Sequence, residues 1–269
     1  MTPVENIKAI DVHAHIGKYV GDNFDLVNNF ASGDAEVILS HAQKANTEFL
    51  FVSPLNALLP RLHGDPVTAN REIISTISGN ARLKFWVVID PLKPKTYDQA
   101  DEMLSLKECV GIKIHPEEHG YAIADYGEAI FEFAAEKKAV LLTHSGEKNS
   151  LPQDFVSFAN DFSTVKLILA HLGCGWDGDP SYQVRAVHAS KYGNIYIDTS
   201  SAKNTMPGLI EWAVKKIGAE KILYGTDTPL YFAPMQRARI DHAYIPETDK
   251  AKILHENAIK LFSYKSDIY

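Results

Sequence analysis

Residues 139–171 read AVLLTHSGEKNSLPQDFVSFANDFSTVKLILAH, and this stretch decides the fold. It contains two apolar runs that each end in histidine, AVLLTH at 139–144 and VKLILAH at 165–171, with an amphipathic stretch at 151–162 between them. Apolar runs without polar alternation are typical of strands that are buried on both faces, as in a parallel sheet covered by helices. The stretch therefore predicts a strand, a helix and a second, parallel strand.

The same alternation continues along the whole chain. Six further strand candidates lie at 7–14, 48–53, 84–90, 110–115, 194–199 and 221–226. Helical candidates, several of which begin with Asp or Pro and end at Gly, lie at 35–45, 66–78, 126–138 and 206–218. Eight strand-then-helix units favour an α/β fold that closes as a single (β/α)8 TIM barrel over residues 1–269. The amphipathic tail at 247–264 predicts one additional C-terminal helix.

Composition excludes several classes of protein. The 269 residues are 45% hydrophobic and 23% charged, which is ordinary for a globular protein. With 27 Lys and Arg against 34 Asp and Glu, the net charge of -7 argues against a nucleic-acid partner. No GxGxxG follows the first strand and no GxxxxGK[ST] occurs, so nucleotide binding lacks support. The expected partner is a small-molecule substrate.

The cysteines and the N-terminal sequence indicate in which cellular compartment to expect the protein. Cys109 and Cys174 are the two cysteines, and they are too far apart in sequence to form a CxxC pair. Neither a disulfide framework nor a thiolate zinc site is therefore indicated. The N-terminus carries no basic segment followed by an apolar run, and no stretch is long enough to span a membrane. We expect a cytoplasmic protein without membrane association.

Unusual polar residues end five of the predicted strands. In a barrel of this type, functional side chains project from the carboxyl ends of the strands, where the loops surround a polar cavity. The polar residues found at these ends are Asp11, His13, His15, Lys113, His115, His144, His171 and Asp227. We therefore expect them to meet at one site.

His13, His15, His144 and Asp227 are candidate metal ligands. Residues two apart on a strand point to the same face, so His13 and His15 can bind one ion. Imidazole and carboxylate groups suit zinc, manganese or iron. A metal with an open position lowers the pKa of bound water, and Asp227 could then carry the water's proton to a leaving group. The alternative is that these histidines are hydrogen-bonded core residues.

Five motifs resemble the amidohydrolase superfamily. They are DVHAH at 11–15, THSGE at 143–147, LILAHLG at 167–173, NIYIDTSS at 194–201 and ILYGTDTP at 222–229. The pattern is most similar to the amidohydrolase 2 branch, which contains the aminocarboxymuconate semialdehyde decarboxylase-like enzymes. The resemblance covers nearly the whole chain, including AKILHENAIKLF at 251–262, which looks like the family's closing helix.

The resemblance implies a set of roles. His13, His15, His144 and Asp227 would bind one divalent ion, usually zinc, with Asp227 also acting as the proton acceptor. His171 would form a hydrogen bond with the metal-bound water or the substrate oxygen. The resemblance also implies a homo-oligomer.

Three further residues carry open assignments. Lys113 in GIKIHP looks like a lysine that is carboxylated in the cyclic-amidase branches. If carboxylated, it would bridge a second metal bound by His144 and His171; otherwise it stays an amine that contacts a carboxylate or substrate. His115 is expected to contact substrate or orient the ligands. Arg61, in the loop after the second strand, could bind a substrate carboxylate or be a solvated loop residue.

The leading functional hypothesis is a metal-dependent hydrolase that acts on an amide, ester or lactone. The alternative within the same fold is a metal-dependent non-oxidative decarboxylase. A non-catalytic, metal-stabilised binding or scaffold protein is a third hypothesis, which the complete ligand set disfavours. TatD-like nucleases share a similar first strand and aspartate, but they place a glutamate late on strand three, where this chain has VVIDP at 87–91.

Overall fold

The computed structural model describes residues 3–21, 24–60, 63–201 and 205–263. Eight parallel strands form one sheet in the order in which they occur in the chain. Their bounds are β1 Ala9–Ile16, β2 Thr47–Pro54, β3 Leu83–Val88, β4 Cys109–Ile114, β5 Val140–Thr143, β6 Lys166–Leu169, β7 Ile195–Asp198 and β8 Ile222–Leu223. Each strand lies within the corresponding predicted segment or within a few residues of it.

Helices connect the successive strands. Their bounds are α1 Asp25–Phe30, α2 Ala35–Lys44, α3 Leu55–Leu58, α4 Pro66–Ile77, α5 Lys95–Met103, α6 Pro116–His119, α7 Ile123–Glu136, α8 Val156–Asp161, α9 Tyr182–Ala189, α10 Leu209–Ile217, α11 Ala233–Asp241, α12 Glu247–Ala251 and α13 Asn257–Leu261. A π-helical segment, Lys252–Glu256, joins α12 to α13 and makes the predicted C-terminal helix continuous. The parallel sheet with its alternating helices confirms the (β/α)8 TIM barrel.

The capping expected from the sequence is present at two helices. Asp34 accepts a hydrogen bond from the Val37 amide at the start of α2. Asp65 accepts from the amides of Val67 and Thr68 at the start of α4, where Pro66 occupies the first helical turn. These carboxylates accept hydrogen bonds from amides of the first helical turn, which have no acceptor within the helix.

The barrel is nearly closed between its first and last strands. The Val12 amide donates to the Tyr224 carbonyl at 3.0 Å, just beyond the end of β8. β8 is shorter than predicted because side chains take the next backbone donors: the Gly225 amide bonds to Oγ1 of Thr199, and the Thr226 amide bonds to a carboxylate oxygen of Asp11. This segment is therefore held by side chains of β1 and the β7 end.

Apolar residues fill both the barrel interior and the layer between strands and helices. Inside the barrel, Phe51 of β2 and Trp86 of β3 pack against Phe262, which follows α13. The ring centroids of Phe51 and Phe262 are 5.0 Å apart, and those of Trp86 and Phe262 are 5.8 Å apart, both in edge-to-face geometry. The C-terminal helix therefore contributes directly to the interior core.

An irregularity in β1 directs the histidines inward. Asp11 pairs with Leu50 and Ala14 pairs with Val52, so β1 uses three residue steps where β2 uses two. A bulge of this kind shifts which residues face each side. Val12 packs in the interior cluster, whereas Ala14 packs in the outer layer. Because Ala14 faces outward, its neighbours His13 and His15 face the interior.

No helix in the described part of the chain is long and apolar enough to span a bilayer. The organisation of residues 1–269 as one domain, the cytoplasmic location and the homo-oligomer stay predictions.

Candidate metal centre and active site

One cavity of about 470 Å³ lies where the strands end. The predicted site residues that line it are His13, His15, Lys113, His115, His144, His171 and Asp227. They come from β1, from the segments that follow β5, β6 and β8, and from β4 and its end. The polar strand ends are thus brought together as expected. Arg61 lies outside the described residues.

His13, His15 and Asp227 form the tightest group. Oδ1 of Asp227 lies 2.7 Å from Nε2 of His15 and 3.3 Å from Nε2 of His13. The candidate ligand atoms of all three residues lie within 4.8 Å of one another, and all three side chains are buried. Two imidazole nitrogens and one carboxylate oxygen are a donor set that suits a divalent ion. The residues present therefore fit a metal.

Burial favours the neutral form of His15. It lowers the pKa of His15 to about 4, although the hydrogen bond and charge of Asp227 act in the opposite direction. A neutral imidazole keeps the lone pair that a metal needs. Burial by itself would raise the pKa of Asp227, but its interactions with His171 and His13 and the hydrogen bond with His15 hold that pKa below the ordinary range.

Asp198, at the end of β7, orients His13. Its Oδ2 accepts a hydrogen bond from Nδ1 of His13 at 2.8 Å, which leaves Nε2 of that ring directed at Asp227. Such a carboxylate fixes the tautomer and the angle of a metal-binding histidine. Burial alone would raise the pKa of Asp198, but its electrostatic interaction and hydrogen bond with His13 outweigh burial and lower that pKa. Sequence reasoning missed this residue, although it also ends a predicted strand.

His144 lies apart from the group of three. Its Nδ1 is 3.1 Å from Nε2 of His171, and its ring stacks on His115 with centroids 4.1 Å apart. Nε2 of His144 lies 3.4 Å from a carboxylate oxygen of Glu147. The ring of His171 is in turn 5.0 Å from that of His13. His144 therefore reaches the cluster through His171, and its role as a fourth metal ligand stays a prediction.

Lys113 projects into the same group. Its Nζ lies 3.0 Å from Nε2 of His13, and the side chain is almost completely buried. Burial lowers the pKa of Lys113 to about 8, although the charges of Asp198 and Asp227 act against that shift. A larger share of uncharged amine is available near neutral pH than for an exposed lysine. Both forms considered from the sequence, the amine and the carbamate, stay predictions.

Two of the site residues have an unusual backbone conformation. His171 and Asp227 have φ angles of 69° and 59°, a region that residues other than glycine seldom adopt. Hydrogen bonds hold both: the His171 amide donates to Oδ1 of Asp198 at 2.9 Å, and the Asp227 amide donates to the His13 carbonyl at 2.8 Å. Such strain persists where the surroundings determine the conformation, and it is frequent at functional sites.

Asp11 lies beneath the cluster and ties β1 to the Asp227 loop. Its carboxylate accepts hydrogen bonds from Oγ1 of Thr226 at 2.5 Å, from the Thr226 amide at 3.1 Å and from the His13 amide at 3.0 Å. Burial raises the pKa of Asp11 to about 8, although these hydrogen bonds act to lower it. The sequence identified Asp11 as a carboxylate at the end of a strand. In the structure it binds Thr226 and the His13 amide, so its role is to hold these segments together.

A barrel with histidines and an aspartate clustered where its strands end defines a TIM-barrel protein with a candidate metal centre. The chain belongs to the amidohydrolase family, because a sequence model of that family matches residues 10–263. It is therefore an enzyme of the amidohydrolase type, as the motifs indicated. No curated protein matches the chain in sequence.

Several solved structures have the same fold. A dihydroxybenzoic acid decarboxylase from Polaromonas sp. JS666, with bound manganese and the inhibitor 2-nitroresorcinol, is 15% identical with a TM-score of 0.75, covering 97% of this chain and 99% of that one. A 2,6-dihydroxybenzoate decarboxylase from Rhizobium is 15% identical with a TM-score of 0.72, covering 96% and 99%. The 5-carboxyvanillate decarboxylase from Sphingomonas paucimobilis is 14% identical with a TM-score of 0.71, also covering 96% and 99%.

Proposed function

We propose that this enzyme is a metal-dependent non-oxidative decarboxylase of a small hydroxyarene carboxylate. Hydrolysis of an amide, ester or lactone was the leading hypothesis from the sequence, and decarboxylation was its alternative. The similar structures favour the alternative, because the proteins of known activity among them act on 2,6-dihydroxybenzoate and on 5-carboxyvanillate. Both of those compounds carry a hydroxyl group next to the carboxylate that is lost.

The observation that carries the proposal is the mixed lining of the cavity. The polar part of the lining includes His13, His15, Lys113 and Asp227, and the same cavity is also lined by apolar and aromatic side chains. The apolar and aromatic side chains that line it include Tyr19, Val27, Leu55, Leu58, Leu59, Leu230 and Tyr231. A planar ring that carries its polar groups along one edge matches this division between polar and apolar surface.

When the substrate binds, its carboxylate would lie next to two positive charges, the Lys113 ammonium and the bound metal ion. The Lys113 ammonium, 3.0 Å from His13, supplies positive charge near the metal-binding group. A divalent ion held by His13, His15 and Asp227 would polarise the neighbouring carboxylate and hydroxyl oxygens of the substrate. The leucines of α3 and the two tyrosines exclude water from the ring.

The reaction requires one proton and releases carbon dioxide. A proton adds to the ring carbon that bears the carboxylate. The bond from that carbon to the carboxylate then breaks, its electron pair returns to the ring, and carbon dioxide leaves. The proton comes from solvent, and Asp227, whose carboxylate lines the cavity, would pass it on.

The same comparison suggests which metal to test first. The resemblance of the motifs implied zinc, whereas the Polaromonas structure contains manganese. Nitrogen and oxygen ligands accept either ion. We propose manganese as the first ion to test, with zinc and iron as the alternatives.

The test is to strip the protein with a chelator, reload it with Mn²⁺, Zn²⁺ or Fe²⁺, and assay two panels of compounds. One panel holds 2,6-dihydroxybenzoate and 5-carboxyvanillate, and the other holds amides, esters and lactones. Carbon dioxide released in equal amount to the arene product, with deuterium at the vacated carbon in D₂O, is the expected result. Acid release from the second panel without carbon dioxide would establish hydrolysis instead. Metal-dependent stability with no turnover in either panel would favour a scaffold.

A further inference from the structure

Ser200 lies between the histidines of the site and touches two of them. The residue follows β7 and its side chain is completely buried. Its Oγ lies 2.8 Å from Nδ1 of His171 and 3.1 Å from Nδ1 of His13, and it donates a hydrogen bond to Oδ1 of Asp198. The serine is therefore in contact with the carboxylate that orients His13 and also with a histidine on the neighbouring strand end.

The Asp198 carboxylate determines where the Ser200 proton points. Oδ2 of Asp198 accepts from Nδ1 of His13 at 2.8 Å, and Oδ1 accepts from the amides of His171 at 2.9 Å and Ser200 at 3.0 Å. With these donors converging on it, the buried group is the ionised acceptor that each contact requires. The close approach of Oγ to Oδ1 would join two acceptors unless the hydroxyl proton lay between them.

The direction of this bond fixes the tautomer of His171. A hydroxyl has one proton, and Ser200 gives it to Asp198, so Ser200 can only accept from Nδ1 of His171. A neutral imidazole carries one proton, which His171 therefore holds on Nδ1. Its Nε2 has a lone pair, and this lone pair accepts from Nδ1 of His144 at 3.1 Å.

We propose that Ser200 is a positioning residue that holds His171 as the Nδ1-protonated tautomer and keeps its Nε2 as a proton acceptor in the cavity. Asp198 and Ser200 then act as one unit that sets the proton positions of His13 and His171 together. The resemblance assigned His171 a hydrogen bond to a water or substrate oxygen without stating the direction. With Nδ1 protonated, Nε2 of His171 can act only as an acceptor, and in this structure its partner is Nδ1 of His144.

The tautomer can be measured on metal-free protein without substrate. Protein labelled with ¹⁵N-histidine is examined by long-range proton–nitrogen correlation, and His171 is assigned by its loss in His171→Asn, since asparagine tolerates a positive φ. We expect a protonated Nδ1 and an unprotonated Nε2 for His171 in the wild type and in Ser200→Thr, which keeps the hydroxyl. Ser200→Ala should move the proton toward Nε2.

A matched control separates this effect from the loss of any partly buried hydroxyl. Ser190 bonds to Asn194 and is not among the described residues that line the cavity, so Ser190→Ala should leave the His171 signals unchanged. Finding the proton on Nε2 in the wild type, or on Nδ1 in Ser200→Ala, would overturn the proposal. Because the wild type alone is decisive, failure of one variant to fold does not remove the test.

The expected effect of Ser200 on the reaction rate rests on the proposed function, whereas the tautomer of His171 does not. Ser200→Ala should lower kcat by about 10- to 100-fold, as is typical of losing an outer partner, with KM little changed. Ser200→Thr should restore most of the lost rate. If no carbon dioxide is released by the wild type but the nitrogen signals are as stated, the proposed function fails and the role of Ser200 stands.

Discussion

Nε2 of His15 lies 2.7 Å from Oδ1 of Asp227, although 212 positions separate the two residues in the chain. The same oxygen lies 3.3 Å from Nε2 of His13. One carboxylate from the segment after the last strand therefore faces two imidazoles of the first strand. Three donors that converge from opposite ends of the chain would be joined by a bound ion.

Replacement of Asp227 is expected to abolish tight metal binding. Asp227→Asn removes the charged oxygen that faces both histidines, so the loss of affinity should exceed the roughly 10- to 100-fold loss typical of an outer partner. Metal per chain after dialysis, with the melting temperature with and without metal, measures the effect. Asp154→Asn, an exposed carboxylate outside the cavity, is the control. Equal metal content in both variants would contradict the assignment.

Replacement of Asp198 should weaken metal binding less severely. An asparagine has one acceptor oxygen, so Asp198→Asn cannot accept from His13 on one side and from His171 and Ser200 on the other. We expect metal affinity to fall by about 10- to 100-fold while the protein stays folded. Titration of metal against a competing chelator gives the affinity. An unchanged dissociation constant would show that Asp198 does not orient His13.

Phe262, the aromatic residue that follows α13, should be important for stability. Phe262 is completely buried and packs on Phe51 and Trp86, so Phe262→Ala should cost about 3–5 kcal/mol in the free energy of unfolding. Tyr192→Ala, at a side chain that is 63% exposed, removes a ring of similar size and should cost little. Denaturant midpoints of the two variants give the comparison. Similar midpoints would mean that the C-terminal helix is not part of the core.

The cap of α4 predicts a pH-dependent contribution to stability. Asp65→Ala should cost about 1 kcal/mol at neutral pH, because it removes the acceptor for the Val67 and Thr68 amides. Hydrogen bonds, first of all from the Thr68 hydroxyl, lower the pKa of Asp65 in the folded protein. The stabilisation is therefore fully present above about pH 4 and is lost as the pH falls through the lower folded pKa. Unfolding of both proteins at pH 7 and pH 3 should show the difference shrinking with acid; a constant difference would contradict the cap.

The barrel and most of the site could be predicted because both depend on local patterns. Continuous apolar runs predicted the strands, and polar residues after those runs, such as His144 and Asp227, predicted where a cavity would form. The spacing of His13 and His15 predicted that both side chains face the same side of the strand, and they do. The bulge at 11–14 interrupts the regular alternation before them but leaves this pair on one side. Local patterns were sufficient for placing these residues at a common end.

Contacts between distant side chains could not be predicted in the same way. Asp198 and Ser200 follow an apolar strand like the others, but their partners His13 and His171 belong to β1 and the β6 end. The pairing of His144 with His171 also depends on the register and twist of adjacent strands. A single sequence contains no local signal for such geometry, since it arises only when the barrel closes.

The packing of Phe262 against residues from the first third of the chain also bears on biosynthesis. Until positions 258–262 have left the ribosome, the nascent polypeptide would keep the rings of Phe51 and Trp86 without their closing partner. Folding is then expected to finish after translation has passed this point. Chaperones that shield exposed aromatic surface would act during that interval.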